Sequence, residues 1–500
     1  MRTLLLFAAL LLTTAASPIV NVVVSGSGPY SGWSSYPQSA SFFPLSVWRQ
    51  NPNIIMGSGA PYSTQPAAML GTGMNIYLDA DNGAAGSWSP TGFGAGDQGG
   101  GFSTIYNAGL YFIPQISVGA GSNCVAATTP TSGACVPNQT ANNSIASIEA
   151  LASSVGHLGN IIGWNLGDEP ESVSCTNWPM SAIPGQVATV KVFDSTRPLF
   201  LNSTNYIFNS GICNPSSLNS KYMAAISVGS MDDYPNTDPW HISCCTGTPL
   251  DQMWRQGWTI HQMMAQRAPG APFWAAVETG TDELAFSSQN GFTCTPATET
   301  CTKGSVTIEE RATPAQVDAE VWLSIINGAT GITYFCDDST GYSVCLGQTG
   351  SALAMGIQAN LAYINSQITA WAPEINATTV GACTMISGTS YSNFTTSCSN
   401  GSLSVSTGNS SMPASAMLKS YGGKHYLFAQ PARNGTGALA FIVSGAAGGS
   451  AVIAYDSDSH YDAANSSLGT TIPIDSSGQF IDTFGANGDN YEVKIYQITP

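Results

Sequence analysis

The chain has 500 residues, and Asp, Glu, Lys and Arg together make up only 9% of them, well below the roughly 25% of an average soluble domain. Its formal net charge is -17 at pH 7, and the few Lys and Arg residues exclude a nucleic-acid partner, since they cannot neutralise a phosphate backbone. A neutral or weakly polar substrate fits this composition better. The length predicts two domains, or one large barrel with an appended domain.

Residues 1–16 are interpreted as a secretory signal peptide. Arg2 gives a positive start, Leu4 to Leu12 form an apolar run, and Thr14-Ala15-Ala16 is a small-residue cleavage site. The apolar run is too short to span a bilayer, and no later run reaches about 18 apolar residues. We therefore expect a secreted, extracellular monomer without a membrane anchor. Secretion would also allow glycosylation at sequons such as those beginning at Asn138, Asn202 and Asn393.

Twelve cysteines in a secreted chain are interpreted as disulfides. Four pairs that lie close in the sequence are predicted to join local loops: Cys124 with Cys135, Cys294 with Cys301, Cys336 with Cys345, and Cys383 with Cys398. The pairing stays open for Cys175, Cys213, Cys244 and Cys245. No C-x-x-C pair occurs and the five histidines are scattered, so the sequence predicts neither a metal site nor a cofactor.

From about residue 40, short apolar runs alternate with helical patterns, which is typical of parallel strands joined by crossover helices. Strands are predicted at residues 42–48, 74–78, 110–115, 161–166, 198–201, 224–231, 272–277 and 331–335. Helices are predicted between several of them, for example at 145–157 and 314–327. Eight such units indicate an α/β fold, a (β/α)8 TIM barrel within residues 17–372, with a doubly wound open sheet as the alternative.

After the barrel, the remaining residues, 373–500, have a different pattern. Short alternating runs at 425–431, 438–445, 451–455 and 491–498 are separated by Gly, Asn and Ser turns. This pattern predicts a C-terminal antiparallel β-sandwich. Because no Pro/Thr-rich linker precedes it, we expect the sandwich to pack directly on the barrel.

Acidic residues follow two of the predicted barrel strands. Asp168 and Glu169 come after the fourth strand, and Glu278 comes after the seventh; strand ends of this kind carry the active site in a TIM barrel. Glycoside hydrolysis requires two such carboxylates, one to protonate the departing oxygen and one to attack or stabilise the sugar cation. The alternatives are that Glu169 caps the next helix and that Glu278 is a solvated loop acid, with Glu283 in its place.

Several segments together resemble the clan A glycoside hydrolases, which are retaining (β/α)8 enzymes. "GWNLGDEP" (163–170) and "FWAAVETG" (273–280) are similar to the ends of the clan's fourth and seventh strands. "DSTRPLFLNST" (194–204), "SMDDYP" (230–235) and "VWLSIINGATGITYF" (321–335) resemble its fifth strand, its sixth strand, and its last helix and strand. The segments occur in the clan's order across nearly the whole barrel.

The resemblance implies a role for each acid. Glu169 would be the general acid/base, Glu278 the nucleophile, and Tyr234 the tyrosine that hydrogen-bonds the nucleophile and keeps it ionised. Clan members usually carry Asn immediately before the acid/base, where it bonds the sugar 2-hydroxyl, but Asp168 stands at that position here. Asp168 is therefore a predicted substrate contact with an unexpected charge.

Three further substrate contacts are predicted near the barrel mouth. The tryptophan that clan members often carry at the end of the eighth strand is replaced by Tyr334-Phe335, and we expect Tyr334 to offer an aromatic face to a sugar. Trp240 and His241 lie in the loop after Tyr234 and are expected to reach the substrate.

The sequence thus predicts a secreted retaining glycoside hydrolase that cleaves β-glycosidic bonds of a polysaccharide or oligosaccharide by double displacement. Two alternatives stay open: a non-catalytic carbohydrate-binding or cell-surface protein, and a transglycosylase on the same barrel. Low charge and many aromatic residues suit all three.

Overall fold

The computed structural model describes residues 28–49, 65–79, 105, 107–116, 139–154, 156–169, 183–204, 223–236, 253–279, 293–295, 300–304, 306–309, 312–337, 352–387, 394–461, 463–464, 466–485 and 491–499. Structural statements below concern these residues. The predicted signal peptide lies outside them. No helix in this described part combines the length and apolar character needed to cross a membrane.

The first half of the fold is a barrel of parallel strands. In chain order the barrel strands are β1 (Leu45–Arg49), β2 (Ile76–Asp79), β3 (Tyr111–Ile113), β4 (Trp164–Asn165), β5 (Leu199–Thr204), β6 (Val228–Asp232), β7 (Phe273–Glu278) and β11 (Gly331–Asp337). Three small strands lie between β7 and β11 in the chain: β8 (Thr293–Thr295), β9 (Thr300–Lys303) and β10 (Val306–Glu309). Their order in the sheet is β3-β2-β1-β11-β7-β6-β5-β4. Parallel bridges from Phe112 to Ile161 and from Gln115 to Asn165 connect the two edges, so the strands form a ring. Each predicted strand is confirmed.

Helices connect the strands and cover the outside of the ring. They are α1 (Gln65–Gly71), α2 (Gln139–Ser154), α3 (Ile183–Phe193), α4 (Trp254–Gln266), α5 (Pro314–Ile326) and α6 (Ala352–Ile375). The helix α5 begins sharply because Thr313 accepts from the Gln316 N–H, the Gln316 side chain accepts from the Thr313 N–H, and Pro314 follows the cap. The predicted domain limit at residue 372 falls within α6.

Successive side chains of a strand point alternately into the barrel and towards the helices. The interior is filled by apolar side chains from the strands, among them Trp48, Ile76, Leu78, Ile113, Ile162, Phe200, Val228, Trp274 and Phe335. Tyr30 belongs to the same cluster and lies at its N-terminal end, where its Oη accepts from Trp274 Nε1 at 2.6 Å and donates to Thr330 O at 3.0 Å. The N-terminal end is thus filled by aromatic packing, and polar side chains lie at the other end.

The C-terminal part is a sandwich of two antiparallel sheets, as predicted. Its elements are β12 (Thr378–Thr384), β13 (Ser397–Asn400), β14 (Leu403–Thr407), β15 (Ala414–Tyr421), β16 (Lys424–Pro431), β17 (Gly437–Val443), β18 (Ser450–Asp456), α7 (Asp458–Tyr461), β19 (Thr471–Pro473), β20 (Gln479–Phe484) and β21 (Lys494–Thr499). One sheet has the order β12-β15-β16-β21-β18-β19 and the other β13-β14-β17-β20.

One of the predicted disulfides is confirmed. A disulfide joins Cys383 to Cys398, and since these residues lie on β12 and β13 it connects the two sheets of the sandwich. Cys294 and Cys301 are partners in the backbone register of β8 and β9, and the bond predicted between them stays a prediction. The remaining predicted pairs involve residues that the structure does not describe.

The sandwich packs directly against the barrel helices. Trp322 of α5 lies 6.3 Å from Phe428 and 5.3 Å from Tyr455, measured between ring centroids. Gln430 Nε2 donates to Ala319 O on α5 at 2.8 Å. Because both aromatic contacts and a buried hydrogen bond cross this boundary, the barrel and the sandwich share a common core.

Candidate active site

Acids and an amide from four adjacent strands lie at the C-terminal end of the barrel. Asp168 and Glu169 follow β4, Asn202 is near the end of β5, Asp232 ends β6, and Glu278 ends β7. This end of a TIM barrel is where strand-to-helix loops build an active site. The placement of the acids after β4 and β7 agrees with the sequence interpretation.

Glu169 has an unusual backbone. Its φ is 39°, in the left-handed region that non-glycine residues avoid. The Glu169 N–H donates to Asn202 O at 3.1 Å, so β5 holds the turn in this conformation. Such backbone costs of the order of 1 kcal/mol or more and persists mainly at functional sites. The conformation makes Glu169 a candidate functional residue; its role as the general acid/base stays a prediction.

A single amide connects two of the acids. Asn202 Nδ2 donates to Asp168 Oδ1 at 3.0 Å and to Asp232 Oδ2 at 3.1 Å. Carboxylate oxygens of Asp168, Glu169 and Asp232 all lie within 4.8 Å of one another. Negative charges this close oppose each other's ionisation. This geometry favours a proton on at least one of the three acids.

Asp168 is the acid whose proton affinity rises most clearly. Burial, together with the neighbouring charge of Glu169, raises the pKa of Asp168 to about 8, although the Asn202 hydrogen bond works in the opposite direction. A raised pKa favours the protonated form of Asp168 when Glu169 is charged. In this state it resembles the uncharged amide that clan members carry at this position.

Glu278 is buried at the barrel mouth with 3% of its surface exposed. Asn236 N–H donates to Glu278 Oε1 at 2.7 Å, and a donor to the carboxylate favours its charged form. The main-chain N–H of Glu278 donates to Glu320 Oε1 at 3.3 Å. Burial and the charge of Glu278 raise the pKa of Glu320, which favours its protonated form.

Tyr234 lies close to Glu278 along the barrel rim. Its ring stacks on Phe335, with centroids 5.3 Å apart and planes at 29°. Phe335 is the register partner of Glu278 and belongs to the interior cluster. Asn236 is one hydrogen-bond donor to the Glu278 carboxylate; the bond expected from the Tyr234 hydroxyl stays a prediction.

The prediction that Tyr334 contacts substrate is wrong. Its side chain is fully buried and belongs to the core between the strands and the helices. Tyr334 Oη donates to Asn365 Oδ1 of α6 at 2.6 Å. Because side chains alternate along a strand, Phe335 and not Tyr334 points into the barrel. The register of β11 with β7, which pairs Phe335 with Glu278, decides between the two residues.

A second correction concerns Asn202. It is 2% exposed, and its amide nitrogen is used in the two hydrogen bonds to Asp168 and Asp232, so it is not a glycosylation site. Its position near the end of β5 was the available signal for a site residue. Trp240, His241 and the rival acid Glu283 lie outside the described residues, and their roles stay predictions.

Comparison with known proteins adds structural similarities at low sequence identity. No protein-family model matches the chain, and no curated protein sequence matches it. Similar solved structures include an Anoxybacillus alpha-amylase, with 9% identity over 93% of this chain and 99% of that chain and a TM-score of 0.48. Another is a family 39 glycoside hydrolase from Bacteroides cellulosilyticus WH2, with 12% identity over 92% of this chain and 82% of that chain and a TM-score of 0.40.

A third is a GH30 endoxylanase from Clostridium papyrosolvens C71, with 11% identity over 92% of this chain and 97% of that chain and a TM-score of 0.40. The barrel and sandwich are established by the strand pairing given above. The function is argued below from the site residues of this chain.

Proposed function

We propose that this protein is a secreted retaining glycoside hydrolase that cleaves β-glycosidic bonds in a polysaccharide or oligosaccharide. The placement of Glu169 and Glu278 at the C-terminal ends of the fourth and seventh strands of one barrel carries this proposal. The strained backbone of Glu169 and the burial of Glu278 support it.

In the first step the Glu278 carboxylate attacks the anomeric carbon while the Glu169 carboxyl protonates the departing glycosidic oxygen. The carbon–oxygen bond to the leaving sugar breaks, and a glycosyl ester on Glu278 forms. The Asn236 N–H, which donates to Glu278 Oε1 at 2.7 Å, helps to hold the carboxylate in place for this attack.

In the second step the Glu169 carboxylate removes a proton from water, and the oxygen of that water attacks the anomeric carbon. The ester to Glu278 breaks, and the sugar leaves with its original configuration. Glu169 is then protonated again, and Glu278 is again a carboxylate. A carboxyl separation of about 5 to 5.5 Å suits this mechanism, whereas about 6.5 to 9.5 Å suits inversion.

Chemical rescue tests the assignment of Glu278. We expect Glu278→Gly to lose nearly all activity on an aryl β-glycoside, because no nucleophile remains. Added azide should restore turnover and give an α-glycosyl azide, since azide attacks directly with one inversion. Chromatography and proton NMR of the product measure the outcome.

Glu283→Gly is the matched control, because Glu283 was the rival acid in the sequence. It should hydrolyse the aryl glycoside at close to the wild-type rate and form no azide product. Azide rescue in Glu283→Gly instead of Glu278→Gly would identify Glu283, and not Glu278, as the nucleophile. Full binding of oligosaccharide without release of reducing ends by the wild-type protein would favour the non-catalytic alternative.

A further inference from the structure

A pocket lies between the barrel and the sandwich, at the opposite end of the barrel from Glu169 and Glu278. Its barrel side is formed by the C-terminal part of α4, the residues just before β7, and the turn between α5 and β11. The residues that follow α6 and strands β12 and β15 complete it. Its volume is about 1170 Å³ when the space that is open to solvent is included. We call it the interdomain pocket.

Two buried cations line the interdomain pocket. Arg267 and Lys419 are each 8% exposed, although the chain has only 13 Lys and Arg residues against 30 Asp and Glu residues. None of the residues that line the pocket is Asp or Glu. Within the described chain neither cation forms an ion pair, whereas Arg197, Arg255 and Lys494 each do.

The hydrogen bonds of both cations go to neutral acceptors. Lys419 Nζ donates to Ala377 O at 3.1 Å. Arg267 donates to Met264 Sδ at 3.0 Å and to the carbonyl oxygens of Ala268 and Ala271. These carbonyl groups stabilise the charges only partly, because a buried charge is fully compensated only by an opposite charge.

Burial without an acid partner has a measurable consequence. It lowers the pKa of Lys419 to about 7 and that of Arg267 to about 10. Burial also lowers the pKa of His261, another residue of the lining, so this imidazole is neutral at pH 7. The positive charge of the pocket at pH 7 therefore comes from Arg267 and from the charged fraction of Lys419.

Most of the remaining lining is apolar. It includes Met264, Ile325, Ile326, Ile375 and Met417. Such a surface favours a ligand with a hydrocarbon part. It also disfavours a free phosphate dianion, because a small, doubly charged ion loses more hydration here than a singly charged organic acid.

We propose that the interdomain pocket binds a small organic carboxylate, with its charged end between Arg267 and Lys419 and its apolar part against the Met and Ile side chains. Arginine and lysine are the donors that form charge-assisted hydrogen bonds to carboxylates. This site is separate from the proposed hydrolase site and does not depend on it.

Calorimetric titration of the full chain with hexanoate tests the site, with hexan-1-ol and inorganic phosphate as the comparison ligands. Hexanoate is expected to bind, hexan-1-ol to bind at least about tenfold more weakly because it lacks the charge, and phosphate to bind more weakly than hexanoate. Equal binding of hexanoate and hexan-1-ol, or tighter binding of phosphate, would overturn the proposal.

Substitutions locate the binding. Lys419→Met keeps the length and shape of the side chain without the charge, and it should weaken hexanoate binding by at least about tenfold. Lys424→Met removes a charge on the neighbouring strand β16, away from the pocket, and should leave binding unchanged. Arg267→Gln provides a second test if Lys419→Met fails to fold.

Unchanged hexanoate affinity in both Lys419→Met and Arg267→Gln would overturn the proposal, because neither charge would then contribute to binding. The main-chain carbonyl groups alone would then stabilise the two buried cations. Glu278→Gln should bind hexanoate like the wild-type protein. Loss of binding in Glu278→Gln would place hexanoate in the active site and overturn the assignment to the interdomain pocket.

Discussion

Asp168 and Glu169 are neighbours in the chain, and the charge of Glu169 affects the protonation of Asp168. Burial and the charge of Glu169 raise the pKa of Asp168 to about 8, and Asn202 holds its Oδ1 at 3.0 Å. A protonated Asp168 has one oxygen that accepts from Asn202 and one O–H that can donate to a sugar hydroxyl. The apparent excess of negative charge at this strand end is thereby reduced at neutral and acidic pH.

Asp168→Asn tests this protonation state. Both side chains are neutral at pH 6 and both accept from Asn202, so we expect kcat/KM within about tenfold of wild type there. Above about pH 8 the wild-type Asp168 ionises, whereas the amide of the variant cannot, so the ratio of variant to wild-type kcat/KM should rise with pH. A pH series on an aryl glycoside measures it.

Asp168→Ala is the control, because it removes the acceptor for Asn202 as well as the carboxyl. It should lose more activity than Asp168→Asn at every pH. A variant-to-wild-type ratio for Asp168→Asn that stays flat from pH 6 to pH 9 would contradict a protonated Asp168.

At the scale of elements, the pleat of β11 separates two adjacent aromatic residues. Tyr334 points outwards and bonds Asn365 of α6 at 2.6 Å, whereas Phe335 points inwards and stacks on Tyr234. One strand thus contributes both to the attachment of a helix and to the rim of the candidate site. Stability and activity should therefore respond to different residues of the same strand.

Tyr334→Phe is expected to lower the free energy of unfolding by about 1 to 3 kcal/mol, because it leaves Asn365 Oδ1 without its buried donor. Its kcat/KM should stay close to wild type. Denaturant unfolding and steady-state kinetics measure the two effects. A large loss of kcat/KM in a stable Tyr334→Phe protein would show that Tyr334 contributes to the candidate active site.

Phe335→Leu is the companion variant. It keeps an apolar side chain inside the barrel but removes the ring on which Tyr234 stacks, so kcat/KM should fall several-fold. If Phe335→Leu kept full activity, the stack would have no role in positioning Tyr234.

At the scale of the whole molecule, several buried carboxyl groups favour an acidic optimum of stability. Burial raises the pKa of Asp318, which lies in α5 between the barrel and the sandwich, to about 8. The folded state then binds more protons than the unfolded chain between about pH 4 and about pH 8, so the free energy of unfolding falls as the pH rises through this range. Asp168 acts in the same direction.

Thermal unfolding between pH 4 and pH 7 tests this dependence. The wild-type Tm should decrease across the range, and Asp318→Asn should decrease less, because one such carboxyl contributes at most about 1.4 kcal/mol per pH unit. Scanning calorimetry measures both proteins. Asp475→Asn is the control, since Asp475 is exposed and its hydrogen bonds lower its pKa; its slope between pH 5 and pH 7 should match wild type.

The architecture of the barrel and the two principal acids could be predicted from the sequence alone. Apolar runs, turn residues and the change from period 3.6 to period 2 are local signals, so the strands and the sandwich could be located from them. Glu169 and Glu278 were identified because an acid directly after a buried strand must lie at the C-terminal end of that strand.

Which residues meet one another became clear only from the folded chain. The contacts of Asn202 with Asp168 and Asp232, and of Asn236 with Glu278, join residues at least 30 positions apart in the chain. The choice between Tyr334 and Phe335 depended on the register of β11 with β7. The raised pKa of Asp168 and the two buried cations of the interdomain pocket depend on burial and on neighbours that packing brings together. Local sequence patterns therefore do not predict them.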